Sequence, residues 1–115
     1  MGKSVLRDKS YAFALRVVKL YKFLCVEKKE FVLSKQALRS GTAVGALIRE
    51  AEFGQSKPDF ISKMSIALKE ANETGYWLVL LKDADYLEEK LYESLNADCE
   101  ELIKMLVSTV KTAKQ

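Results

Sequence analysis

With 115 residues, about half of them hydrophobic and 30% charged, the chain is globular and long enough for one domain with one modest core. One proline and five glycines are too few for a fold of short strands and turns, and no apolar run approaches the ~20 residues that span a bilayer. The net charge of +3 is uneven: residues 1–63 carry thirteen basic and six acidic side chains and residues 64–115 six basic and ten acidic, so the first half offers a face for anions or for contact between copies of the chain.

Four helices are predicted in order. Ala14, Val17, Val18, Tyr21, Leu24 and Cys25 recur every three or four residues and predict a helix over residues 10–26, with Lys19 and Lys22 off the stripe. A second helix is predicted over residues 31–53. It carries Leu38, Gly41, Gly45 and Ile48 on its tightest face and stops near Gly54. Each interior glycine costs a helix roughly 1 kcal/mol relative to alanine. Gly41 and Gly45, one turn apart, therefore predict a neighbouring backbone that passes unusually close. The third helix opens at Ser56-Lys-Pro-Asp59, which has capping-box spacing and a proline in its first turn, and its stripe runs from Ile61 to Leu81. After a joint at residues 82–86, Leu87, Leu91, Leu95, Leu102, Leu106 and Val110 predict a fourth helix. Asn96 and Asp98 weaken its middle enough for a bend, and residues 111–115 form a polar, frayed tail. Four such helices with short joints predict an all-α, antiparallel up-down-up-down four-helix bundle occupying residues 1–115 as one domain.

Several segments then identify a resemblance. Ser34-Lys-Gln-Ala-Leu-Arg-Ser-Gly-Thr-Ala-Val-Gly-Ala-Leu-Ile-Arg-Glu-Ala51, Gln55-Ser-Lys-Pro-Asp-Phe-Ile-Ser-Lys-Met-Ser-Ile-Ala-Leu-Lys-Glu-Ala71 and Glu73-Thr-Gly-Tyr-Trp-Leu-Val-Leu-Leu81 resemble the signature of the bacterial four-helix bundle proteins related to the 23S rRNA intervening-sequence (S23-type) proteins. The resemblance implies a non-enzymatic bundle that assembles as a homo-pentamer, with RNA or DNA as a partner through a distant relative that binds nucleic acid. The chain departs from the family pattern at Ala43 and Leu47, where serine and asparagine are common, and at Gly75, where a polar residue is common.

The embedded polar residues Arg39, Arg49, Glu50, Glu70 and Glu73 suit an ionic network between helices or subunits. The competing readings are ordinary solvated helix charges and, for Arg39 or Arg49, direct phosphate contact. Tyr11, Tyr21, Tyr76, Trp77, Tyr86 and Tyr92 are the candidate interface aromatics, foremost Tyr76 and Trp77, which flank the stripe of the third helix; the competing readings are intrachain core and base stacking. Within the wider basic set, Lys19, Lys22, Lys28, Lys29 and Lys35 are the candidate nucleic-acid contacts, because phosphate attraction needs cations on a common face rather than a short motif. An unknown protein partner is the further alternative.

Nothing in the residues points to an enzyme, a metal or a cofactor. The chain has no histidine, so neither a Ser-His-acid arrangement nor a Glu-x-x-His metal pair can form, and no glycine-rich phosphate loop is present. Cys25, in an apolar stretch, is read as a core filler, and the thiolate of Cys99 is disfavoured by Asp98 and Glu100. Two distant cysteines suit a reducing compartment. Lys3, Arg7 and Lys9 precede no long apolar segment, so no secretory signal is read and a cytoplasmic location is expected.

Overall fold

A computed structural model describes residues 4–115; Lys3 lies outside the described residues. The helices are α1 (Val5–Glu27), α2 (Leu33–Glu52), α3 (Lys57–Asp83) and α4 (Glu89–Ala113). Consecutive helices pack against each other and α4 closes back on α1, giving the antiparallel up-down-up-down bundle, with α1–α4 the least extensive of the four contacts. The 27 residues of α3 set the length of the molecule, whose extents are 44 × 23 × 19 Å.

α1 begins five residues before its predicted start. The Ser4 hydroxyl accepts a hydrogen bond from the Arg7 N–H at 3.0 Å and caps the helix. Its buried face is Leu6, Ser10, Phe13, Val17, Leu20 and Leu24. The predicted stripe shares only Val17 and Leu24 with that face; Ala14, Val18, Tyr21 and Cys25 sit half-buried on its flank. Both stripes have helical spacing and lie one residue apart, so periodicity alone could not choose between them.

α2 starts two residues later than predicted, leaving Phe31 and Val32 exposed. Its first turn is held by a residue outside the helix. Lys29 turns the chain in the left-handed region (φ 54°), and the Glu30 carboxylate then accepts from the N–H groups of Val32, Leu33 and Ser34 at 3.0, 2.9 and 2.7 Å. The Ser34 hydroxyl donates back to the Glu30 carbonyl at 2.8 Å. Burial pushes the Glu30 carboxyl upward in pKa, but the backbone N–H groups of Leu33, Ser34 and Val32 outweigh it and hold the group below its ordinary value.

The glycines of α2 set its approach to α1. A methyl group at Gly41 would lie 2.8 and 2.9 Å from the two γ-carbons of Val17. Valine is nearly fixed in one rotamer on a helix, so it cannot swing aside. Gly45 is looser: its nearest neighbours across the gap are the carbonyl and hydroxyl oxygens of Ser10, at 3.4 Å.

In α3 the Ser56 hydroxyl accepts from the Asp59 N–H at 3.2 Å, with Pro58 in the first turn. α4 runs uninterrupted through Asn96 and Asp98 as far as Ala113, so the predicted weak middle and most of the frayed tail are helical. Phe13, Leu24, Ile48, Met64, Leu78, Leu81, Leu95, Leu102 and Leu106 fill the core. The hydroxyls of Ser40 and Thr74 meet within it at 2.9 Å, joining α2 to α3.

Two substitutions test this framework. Gly41→Ala is expected to lower stability by about 1–2 kcal/mol, because overpacking against Val17 exceeds the gain in helix propensity. Gly45→Ala should lose nothing measurable, and Gly41→Ala combined with Val17→Ala should cost less than the sum of the two single losses in denaturant unfolding. Glu30→Gln is expected to cost about 1 kcal/mol at neutral pH. The folded-state pKa of Glu30 is lowered, so its contribution is complete above the unfolded value of 4.5 and is lost as pH falls through the folded one. The gap between wild type and Glu30→Gln should therefore close in acid.

Candidate interaction surfaces

Arg39 on α2 reaches across to α3, pairing with Glu70 at 3.3 Å and with Glu73. The Trp77 indole N–H donates to the same Glu73 carboxylate at 2.9 Å. Hydrogen bonds from Trp77 and Arg39 hold Glu73 below the ordinary carboxylate value despite partial burial. Trp77 packs against the core, while Tyr76, one residue along, is exposed and meets it edge to face with ring centroids 5.0 Å apart.

Arg49 and Glu50 do not join this group. Ten residues of helix separate them from Arg39, about 15 Å along the axis. Glu50 instead accepts from Lys63 at 3.1 Å, and Arg49 has no carboxylate partner among the described residues. Arg49 borders a groove of about 350 Å³ between α1 and α2, whose lining includes Tyr11, Ala14, Thr42, Gly45 and Ala46. The small α2 residues leave this groove shallow and open on the outer side of the crossing.

The basic residues divide into two groups. Arg16 is taken up by Asp98 at 2.7 Å and Lys9 by Glu101 at 3.2 Å; these two pairs close one half of the α1–α4 seam. Lys19, Lys22, Lys28, Lys29 and Lys35 are exposed and unpaired among the described residues. Lys28 and Lys29 lie in the α1–α2 joint, with Lys35 in the first turns of α2. The remaining half of the α1–α4 seam is open. Two adjoining hollows of about 350 and 490 Å³ share Phe23 and Leu91 as lining, with Lys19 and Lys28 at their edges.

Cys99, not Cys25, is the core thiol: burial, then Glu100 and Asp98, push its pKa up to about 12, and its Sγ donates to the Ala71 carbonyl at 3.2 Å. Cys25 stands half-buried on the flank of α1. Among the described residues, no group of three or more His, Cys, Asp or Glu is placed to hold a metal ion, and no helix is long and apolar enough to cross a membrane. Sequence reasoning missed the outward residues Leu15 and Val26, both exposed. The available signal was that the apolar residues of α1 are not confined to one stripe.

Comparison with known proteins places the chain beside a family and a solved structure. The profile of the family described as 23S rRNA-intervening sequence protein matches residues 3–108. The crystal structure of a protein with unknown function from the S23 ribosomal protein family of Bacteroides thetaiotaomicron VPI-5482 is 60% identical and superposes with a TM-score of 0.92, covering 93% of this chain and 99% of that one. No curated protein matches.

The Arg39–Glu73–Trp77 contact carries its own reporter, because Trp77 is the single tryptophan. Its fluorescence is expected to titrate in acid with a midpoint below 4.5. In Arg39→Ala the midpoint should move up toward that value. Stability should change by less than about 1 kcal/mol, since the pair is half exposed.

Proposed function

Since the chain belongs to the 23S rRNA-intervening sequence protein family, we propose that it acts in the cytoplasm as a non-enzymatic, homo-oligomeric structural or adaptor protein, with five copies in the assembly. The observation that carries this reading is the amount of large apolar side chain left outside a complete core. Tyr11, Val26, Phe31, Val32, Phe53 and Tyr76 are each more than half exposed. Monomeric soluble proteins seldom leave large apolar patches uncovered, and contact between copies would bury them. The pentameric number is supported by the family resemblance, and the reducing location by two cysteines that are free. An unidentified protein would then bind the assembled surface.

A second reading, binding of RNA or DNA, is favoured by one specific observation. Lys22, Lys28, Lys29 and Lys35 are exposed near one end of the bundle with no carboxylate to neutralise them among the described residues. Repetition around a ring would multiply that field. The attraction would be to phosphate and so largely indifferent to sequence.

Light scattering on the wild-type protein, with and without a mixed RNA and DNA pool, separates these accounts. The expected mass is a multiple of the 13.0 kDa chain, close to five copies. A lone monomer at micromolar concentration overturns the assembly. If nucleic acid co-migrates, binding should weaken steeply with salt, and replacing Lys28, Lys29 and Lys35 by glutamate should abolish it. Binding that is insensitive to salt overturns the phosphate reading.

A further inference from the structure

α1 carries apolar residues on its outward side as well as on the side that the bundle covers. Opposite the core face, Tyr11, Leu15 and Val26 recur at helical spacing and are 64%, 48% and 61% exposed, with the half-buried Val18 beside them. An outward apolar stripe of this kind suits a face that another surface covers. Lys22 lies on this same outward stripe, four residues from both Val18 and Val26, and it is unpaired among the described residues.

The chain carries a complementary surface on the other side of the bundle. Residues 88–101 hold six acidic side chains and one basic. Of these, Glu89, Glu93 and Glu100 share one face of α4, are exposed, and pair with nothing among the described residues. Val107, two turns beyond Glu100 on that face, is 47% exposed and supplies the apolar part. The two charged patches lie at the same end of the molecule, because α1 ends where α4 begins.

We infer that the outward face of α1 docks on the acidic α4 face of a second copy lying parallel to it. Side-by-side packing with equal polarity sets lysine against carboxylate. An antiparallel two-fold neighbour would set them at opposite ends. The contact joins two different surfaces, so each copy has one of each to offer, and rotation closes the set into a ring. The inference rests on the homo-oligomer reading above and adds to it the two faces and their relative direction.

The test uses two full-length variants at exposed positions: Leu15→Glu with Lys22→Glu, and Glu93→Lys with Glu100→Lys. Circular dichroism checks that both stay helical; if either does not, Lys22→Glu and Glu93→Lys alone are used, with a loss of association of roughly tenfold or more expected. Each variant alone is expected to be monomeric by light scattering. Mixed in equal amounts, each retains the face that the other lacks, and the two altered faces are themselves opposite in charge. The mixture should then associate into oligomers that hold both variants in equal amounts. If the wild type is oligomeric but either variant keeps its mass, or if the mixture stays monomeric, the face assignment is overturned while the homo-oligomer reading stands. A monomeric wild type overturns both.

Discussion

The absence of one methyl group, at position 41, fixes how closely α2 can approach α1. With Val17 held in a single rotamer, any side chain there would push the helices apart. That separation decides how far α1 sinks into the bundle and what remains outside. Phe13, Leu20 and Leu24 reach the core because α1 lies this close, and the shallow outer groove beside Gly45 and Ala46 exists for the same reason. The lopsided closure of the bundle is consistent with this: α1 is drawn to α2 and lies against α4 over a much smaller area.

Electrostatics is organised around that packing. On the half of the seam where α1 and α4 approach, Arg16 and Lys9 are neutralised by Asp98 and Glu101. Where the helices diverge, lysines remain without ion-pair partners and two hollows open around Phe23 and Leu91, the larger also lined by Asp85 and Glu88. Cations are therefore free largely where apolar surface is also free. This coincidence suits contacts with another macromolecule, in which apolar burial supplies the affinity and charge the orientation.

Much of the architecture was legible in the amino-acid order. Ser56 and Asp59 marked the start of α3 because a hydroxyl cap is a local device with fixed spacing, and the two glycines marked a close crossing because their cost in a helix needs a reason. The rest depended on information that is not local. α1 has two apolar stripes one residue apart, and only the position of α2 selects the one that turns inward. Glu30 caps a helix that begins three residues after it, through a carboxylate with no standard cap spacing. In the candidate network, Arg39 met Glu70 and Glu73 because α2 and α3 run side by side there, whereas Arg49 and Glu50 are too far along the axis to share it.

The hydroxyl pair inside the core has a consequence for what makes the bundle unique. The Ser40 hydroxyl donates to the Gln36 carbonyl of its own helix at 3.2 Å, and the single Thr74 proton can go to the Glu70 carbonyl at 2.8 Å instead of to Ser40. If α2 and α3 slid by a turn, neither hydroxyl would be stranded, since each has a fallback within its own helix. Polarity in the core thus forgives a change of register. The selection of one alignment among several falls instead on shape, the fit of a valine into a space left by a hydrogen atom, and the fold is a steric lock rather than a chemical one.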